Sequence, residues 1–261
     1  MALEVFNRYE KKYLLNESQY QRILALLEAY MIPDKYNVDG KKYTISNIYF
    51  DTKEDHLIRR SLEKPEYKEK LRLRSYGPVK EDDKVFLEIK KKNLELVNKR
   101  RTVMTLKEAK EYLLEGKWPE SGSSNPQILK EIDYLISHEK VEPKVYLAYD
   151  RMAFFSPEST GMRVTIDSGI RARRTDVRLD GQDYGTELLN PGMYLMEVKV
   201  IDSIPLWFAK VLSEEGIYST SFSKYGTEFQ KHCEEVSMER QPRTVYRMPF
   251  QTLYTGRTIE C

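Results

Sequence analysis

The chain has 261 residues, of which 40% are hydrophobic and 11% aromatic, enough to bury a substantial core in one domain. Lys and Arg total 43 against 41 Asp and Glu, a net charge of +2 that excludes a globally basic nucleic-acid binder and leaves any binding field to the segregation of charge along the fold. Two cysteines and three histidines exclude a disulfide framework and zinc-site spacing, and the lack of an apolar run of about 20 residues predicts a cytoplasmic chain with no membrane span.

Residues 5–15 alternate in polarity and predict a first strand carrying Arg8, Glu10 and Lys12 on one face. Asn16 with Gln19 has the form of a capping box, and Ile23, Leu24, Leu26 and Leu27 recur at helical spacing until Pro33 stops the run, so a helix is expected over 17–30. Residues 42–50 are β-branched and aromatic and predict a strand. Asp51 or Thr52 is the expected cap of a short helix over 53–60.

In the stretch Glu69-Lys-Leu-Arg-Leu-Arg-Ser75, strand alternation sets Lys70, Arg72 and Arg74 on one face and Leu71 and Leu73 on the other. Neighbouring like charges repel and a solvated strand mixes its signs, so this row needs a counterion. The charged face returns at 84–92, where Glu88 and Lys90 oppose Val85, Leu87 and Ile89, and again in a short strand over 99–104 with Lys99 and Arg101 on one side. Thr105 with Glu108 caps a helix that ends at Gly116, and Asn125-Pro126 opens another that runs to about residue 137.

Strands over 144–155 and 162–170 follow; in the second, Arg163, Thr165 and Asp167 share a face, and Arg171 and Arg173 continue just beyond. After a turn at 181–185, residues 194–201 place Glu197 and Lys199 together. A helix over 205–215 stops at Gly216, and 221–225 lead into a last helix reaching about residue 235. Residues 1–235 therefore read as the domain, and 236–261, without visible period, as an extended or partly disordered tail.

These elements describe an α+β fold of antiparallel strands with helices inserted between them. If the sheet curls with its ionic faces inward, charges of mostly one sign crowd a partly dehydrated space and repel unless an anion enters. Arg8, Lys12, Lys70, Arg72, Arg74, Lys90, Lys99, Arg101, Arg163, Arg171 and Lys199 then outnumber Glu10, Glu88, Asp167 and Glu197. Arg and Lys grip phosphoryl oxygens, and a few carboxylates among them suit a hard divalent cation that bridges to phosphate. A closed cavity admits a thin flexible chain rather than a duplex, so nucleic acid is not expected. There is no Gly-x-x-x-x-Gly-Lys-[Ser/Thr] loop, Gly-x-Gly-x-x-Gly fingerprint or Gly-x-Ser-x-Gly elbow.

The succession Arg8-Tyr-Glu-Lys-Lys12, Lys70-Leu-Arg-Leu-Arg74, Phe86-Leu-Glu-Ile-Lys90, Tyr149-Asp-Arg151, Arg163-Val-Thr-Ile-Asp167, Met196-Glu-Val-Lys199 and Ser223-Lys-Tyr-Gly226 resembles the VTC domain, the polyphosphate polymerase branch of the triphosphate tunnel metalloenzymes, a CYTH-like superfamily. The resemblance covers roughly residues 5–232. It implies an antiparallel eight-stranded tunnel with helices outside, Mg²⁺ or Mn²⁺ as cofactor, and transfer of the γ-phosphoryl of ATP to a growing inorganic polyphosphate chain. By position it implies Arg72, Arg74, Lys90 and Lys224 as catalytic residues. It likewise implies Lys12, Lys70, Lys99, Arg101, Arg163, Arg171, Lys199 and Ser223 as the phosphate-binding lining. Glu197 resembles the metal-coordinating glutamate, with Glu10 and Glu88 as further candidates. The wider superfamily opens with Glu-x-Glu-x-Lys, and here Arg8 stands for the first acid, which favours the polymerase branch. The alternatives are an inorganic or nucleoside triphosphatase of the same fold and a non-catalytic binder of polyphosphate or inositol phosphates.

Overall fold

A computed structural model describes residues 9–240 of the chain, apart from 38, 39, 95, 121, 123 and 158–160. In chain order the elements are β1 (Tyr9–Leu15), α1 (Glu17–Tyr30), β2 (Ile32–Pro33), β3 (Tyr43–Asp51), α2 (His56–Leu62), β4 (Tyr67–Tyr76), β5 (Lys84–Asn93), β6 (Leu96–Thr105), α3 (Leu106–Glu115), α4 (Pro126–Glu139), β7 (Glu142–Phe155), β8 (Arg163–Arg173), β9 (Thr186–Glu187), β10 (Tyr194–Val200), α5 (Leu206–Glu214), β11 (Ser219–Thr220) and α6 (Lys224–Arg240). The eleven strands described form one antiparallel sheet in the order β11-β1-β10-β8-β7-β3-β4-β5-β6, with β2 added to β7 and β9 to β8.

Eight of these strands have seven or more residues, which is the number expected of the tunnel; the other three, β2, β9 and β11, have two residues each, too short to leave a periodic signal. Alternation gives β1, β4, β5, β8 and β10 an ionic face, while β3 and β7 carry few charges on either face, and the outward apolar side chains pack against the helices. On one side Val164, Ile166, Met196 and Val198 meet Ile23 and Leu27 of α1 and Phe208 and Val211 of α5. On the other, Leu71, Leu73, Leu87 and Ile89 meet Ala109 and Tyr112 of α3 and Leu129 and Ile132 of α4. Burying each of these aliphatic side chains contributes about 1.5–3 kcal/mol, so the helices hold the curvature of the sheet from outside.

The helix boundaries follow local chemistry. Asn16 with Gln19 and Thr105 with Glu108 both form complete capping boxes, and Asn125 accepts from Gln127 and Ile128 ahead of Pro126, as the sequence predicts. The short helix α2 starts three residues later than expected. Asp51 nevertheless serves its first turn: from the end of β3 its buried carboxylate accepts from the backbone N–H of Leu57 and Ile58, and Thr52 accepts from His56. The Tyr225 hydroxyl donates to the same carboxylate at 2.8 Å, so Asp51 ties β3, α2 and α6 together.

Helix α6 runs five residues past the expected boundary, to Arg240, so 236–240 are helical rather than extended tail. The expectation for 241–261 lies outside the described residues, as does Arg8. Among the described residues no helix is long and apolar enough to cross a membrane.

Candidate functional site: a cationic cavity inside the curled sheet

No ladder joins β6 to β1 among the described residues, yet residues of both strands line one cavity of about 320 Å³, so the sheet curls until its two ends face each other. Inward positions from β1, β4, β5, β6, β8 and β10, together with the start of α6, supply its charge. Glu10, Lys12, Lys70, Arg72, Arg74, Glu88, Lys90, Lys99, Arg101, Arg163, Glu197, Lys199, Ser223 and Lys224 all line it, as the sequence predicts. With Arg151, eleven cations face three carboxylates there.

Arg171 does not line it. The inward face of β8 comprises Arg163, Thr165 and Asp167, but the β7–β8 register shifts between Ala148 and Asp150, opposite Gly169 at a φ of +53°. This bulge adds one residue to β8 and reverses its sidedness: Ile170 and Ala172 turn into the apolar cluster under α6, and Arg171 turns out to pair with Asp150 and Asp183. A non-glycine side chain would be strained at that φ, and periodicity alone could not have located the shift.

Two carboxylates organise the cations. Glu88, whose side chain is 1% exposed, sits 2.7 Å from Arg72, 2.9 Å from Lys99, 3.9 Å from Arg74 and 4.0 Å from Arg101. Burial alone would raise its carboxyl, but Arg72, Arg74 and Lys99 outweigh burial and hold it at about 2. Arg72 also donates to the Tyr49 hydroxyl at 3.1 Å, and Arg74 to Asn47 at 2.9 Å, so both guanidinium planes are fixed before any ligand arrives.

Glu197 occupies the second network. Lys224 lies 3.1 Å from it, Arg151 3.4 Å and Lys12 3.7 Å, and these cations hold its carboxyl well below the usual range in spite of burial. Behind it the buried Asp167 receives a bidentate pair from Arg151, at 2.6 and 2.7 Å, and Lys224 at 2.6 Å. Arg151 is a site residue to which the sequence assigns no role; it follows Tyr149 by two residues on β7, and both line the cavity. Glu10 is near this network, 3.6 Å from Lys12 and 3.2 Å from Lys199.

Helix α6 brings its N-terminus to the cavity. Ser223 caps it, accepting from the Gly226 N–H, and Ser223, Lys224 and Tyr225 all reach the lining. A Cβ at Gly226 would stand 3.1 Å from Leu62, so glycine lets α6 lie close against α2. Tyr225 stacks on Tyr49 at 4.8 Å, and the positive end of the helix adds to the cationic field.

Several cations have little or no fixed counter-charge. Among the described residues neither Lys70 nor Lys90 makes an ion pair, and dehydration and neighbouring lysines push Lys70 down to about 8. Dehydration likewise brings Lys99 to about 8, only partly offset by Glu88, and lowers Lys90, which Glu10 partly restores. Burial would raise Tyr49, but Arg72 and Arg74 bring it down to about 8. A polyanion entering this space relieves the repulsion of all of them at once.

The VTC domain model matches residues 7–232. The chain belongs to the VTC domain family. Among solved structures, an adenylate cyclase candidate from Bacillus halodurans aligns with a TM-score of 0.50 at 16% identity, over 82% of this chain and 92% of its own. A protein of Hippeastrum, an adenylyl cyclase candidate with a dominant triphosphatase activity, aligns with a TM-score of 0.45 at 15% identity, over 85% and 95%. Similarity at these identities concerns the fold alone, and the Bacillus protein shows it to be that of this VTC domain. No curated protein sequence matches the chain significantly.

The carboxylates of this VTC domain differ in their fitness for a divalent metal. Among the described residues no three His, Cys, Asp or Glu side chains converge as a cluster. Glu88 is enclosed by four cations and has no room for another, which sets it apart from the other two candidates. Glu197 and Glu10 come from adjacent strands, where Glu10 pairs with Lys199 and Glu197 with Lys12, and each raises the cost of the other's charge. Two carboxylates at one wall of a cationic cavity fit a hard divalent cation such as Mg²⁺ or Mn²⁺, which keeps waters and would take much of its coordination from the phosphates of a ligand.

Proposed function

We propose that this VTC domain is a polyphosphate polymerase that transfers the γ-phosphoryl group of ATP to the end of an inorganic polyphosphate chain inside the cationic cavity, in the cytoplasm where ATP is supplied. The observation that carries this reading is the convergence of eleven cations on three carboxylates, all three of them already ion-paired.

A terminal oxygen of the acceptor chain forms a bond to the γ-phosphorus as the bridging bond to the β-phosphate breaks, and ADP leaves with the electron pair. That terminal oxygen ionises with a pKa of about 6, so it needs no base near neutral pH. Hydrolysis would instead require water to lose a proton, and each cavity carboxylate is held in ion pairs that make it a weak base. This contrast favours phosphate over water as the acceptor, and polymerase over triphosphatase.

The chain's own residues supply position and charge. Arg72 and Arg74, locked by Glu88, Tyr49 and Asn47, present donors to equatorial phosphoryl oxygens. Lys90 and Lys70 bring ammonium groups that make no ion pair among the described residues, while Lys12, Lys99, Arg101, Arg163 and Lys199 complete the lining. Lys224 and Arg151, held between Asp167 and Glu197, offset charge at the wall where α6 begins. Glu197 and Glu10 would hold the divalent cation, which when bound neutralises phosphate charge. Catalysis then rests on alignment and electrostatics, as phosphoryl transfer commonly does.

Incubating the purified protein with ATP and Mg²⁺ or Mn²⁺ tests the reading. Accumulation of long polyphosphate, resolved on a polyacrylamide gel, is the expected result. Release of orthophosphate alone would make the protein a triphosphatase, and binding of polyphosphate with no turnover of ATP would make it a binder.

A further inference from the structure

Along β4 the inward face reads Lys70, Arg72, Arg74, Tyr76: three cations, then an aromatic ring one pleat further, about 7 Å on. The neighbouring strands make the same change at the same end. On β5 the inward positions run Lys90, Glu88, Phe86, and on β3 they end at Tyr43, opposite Arg151. The rings meet: Tyr43 lies 6.4 Å from Tyr76, and Tyr76 packs edge-on against Phe86 at 5.4 Å. Tyr36 extends the group, tilted on Tyr43 at 5.8 Å.

Tyr43 and Tyr76 line the same cavity as the cations, whereas Tyr36 is 59% and Tyr76 43% exposed. Tyrosine rings left this open to water at the end of a charged channel, as Tyr36 and Tyr76 are, do not complete the core, whereas the inner part of Tyr43 packs against the apolar cluster under α6. At this end the lining offers ring faces and edges, bordered by Arg163 and by the Arg101 guanidinium stacked on Phe86 at 4.8 Å. A ligand suited to both parts has a phosphate chain at one end and a flat aromatic group at the other.

We propose that this aromatic mouth seats the nucleobase of a nucleoside triphosphate whose phosphates occupy the cationic cavity, with Tyr76 and Tyr43 as the stacking residues. The inference rests on the phosphate-binding reading of the cavity and adds the substrate's orientation: the nucleoside at the Tyr43–Tyr76 end, the phosphates toward Arg72 and Lys90. Stacking depends on ring area rather than on hydrogen-bonding edges, so purine nucleotides bind more tightly than pyrimidine nucleotides, with little preference between adenine and guanine.

The test is calorimetric titration of ATP, GTP, CTP and tripolyphosphate into the wild type, Tyr76→Ala, Tyr76→Phe and the exposed-site variant Tyr36→Ala, each checked for an unchanged melting profile. The expected result is a loss of ATP affinity of about tenfold in Tyr76→Ala, a smaller loss in Tyr36→Ala, near wild-type affinity in Tyr76→Phe, and no change for tripolyphosphate in any variant. Equal losses for ATP and tripolyphosphate in Tyr76→Ala would mean that the ring only shapes the cavity, and would overturn the nucleobase seat. So would unchanged ATP affinity in both alanine variants, with tripolyphosphate binding intact, while the cationic cavity would stand. A wild type that binds neither ATP nor tripolyphosphate would sink the cavity reading and the seat together. If Tyr76→Ala melts early, Tyr36→Ala and the CTP-to-ATP ratio of the wild type decide the question.

Discussion

The two ion networks of the cavity look alike in composition and differ in what they leave free. Glu88 is enclosed, with four cations within 4.0 Å and a side chain 1% exposed. Glu197 is held by three cations, all of which also serve Asp167 or Glu10, and its side chain is 12% exposed. An acid at the centre of a cation cluster acts as a spacer: it lets guanidinium groups approach one another and fixes their planes. An acid at the edge, beside a second carboxylate, keeps coordinating capacity. On the proposed function, the comparison assigns Glu88 to arranging the phosphate clamp and leaves Glu197 with Glu10 as the wall that would hold a divalent cation.

The largest expected effect comes from removing a clamp cation. Arg72→Ala is predicted to lower polymer synthesis about a thousandfold, the scale of an arginine that neutralises phosphoryl charge in the transition state. Arg72→Lys should rescue little of it, because a point charge cannot bridge Glu88, Tyr49 and a phosphate oxygen together. Measured turnover within tenfold of wild type in Arg72→Ala would remove Arg72 from the clamp.

The two acids should then part company under the same substitution. Glu88→Gln leaves Arg72 and Arg74 without their buried counterion and is expected to cost about 3 kcal/mol of stability, with the metal requirement of the surviving activity unchanged. Glu197→Gln keeps Asp167 as partner for Lys224 and Arg151, so the melting temperature should fall less, while the Mg²⁺ concentration for half-maximal activity should rise about tenfold or more. Thermal melts and metal titrations of both variants check this. The reverse pattern, with metal dependence moving in Glu88→Gln and not in Glu197→Gln, would exchange the roles assigned to them.

Much of this contrast was legible in the alternation of residues. Once Leu71, Leu73, Leu87 and Ile89 are given to the core, Arg72, Arg74, Glu88 and Lys90 share the opposite face whatever the fold. The capping boxes of α1 and α3 were equally local and appear where their residues place them. What alternation does not carry is which acid each cation meets, because that depends on the neighbouring strand: Glu88 meets Arg72 through the β4–β5 register and Arg101 through the β5–β6 register. Nor does it carry a change of register, which is why β8 misled beyond Asp167. Arg151 was not legible, because no run of like charges on β7 marks which of its faces turns inward.

A smaller effect follows from two lysines whose charged form the cavity disfavours. Lys70 and Lys99 stand near 8, below the ordinary lysine value, because dehydration and neighbouring cations disfavour their charged form. A bound polyanion favours that form, so binding above pH 7 is accompanied by proton uptake, and affinity is full below about pH 8 and lost as pH rises beyond it. Tyr49, also near 8, gains negative charge over the same window and acts in the same direction. Tripolyphosphate affinity is predicted to fall severalfold between pH 7.5 and about 9, with calorimetric heats that depend on buffer ionisation. Lys70→Arg should flatten this profile, since arginine stays charged throughout. A profile that stays flat in the wild type would mean that these lysines do not meet the anion.

The smallest effect is expected where the sequence pointed inward and the bulge points out. Arg171 is occupied by Asp150, Asp183 and the carbonyl of Gly169, and its partner Asp183 also accepts from Tyr146. Removing a partly exposed ion pair of this kind costs about 1 kcal/mol or less, and nothing in it faces the cavity. Arg171→Ala is therefore predicted to keep polymer synthesis and tripolyphosphate affinity within about twofold of wild type, with a melting temperature lower by a few degrees. Arg163→Ala, from the inward part of the same strand, should weaken nucleotide binding by clearly more. The pair of variants measures where β8 changes face: equal losses in both would place Arg171 on the cavity side and contradict the register shift at Gly169, whereas a loss confined to Arg163→Ala fixes the change between Asp167 and Arg171.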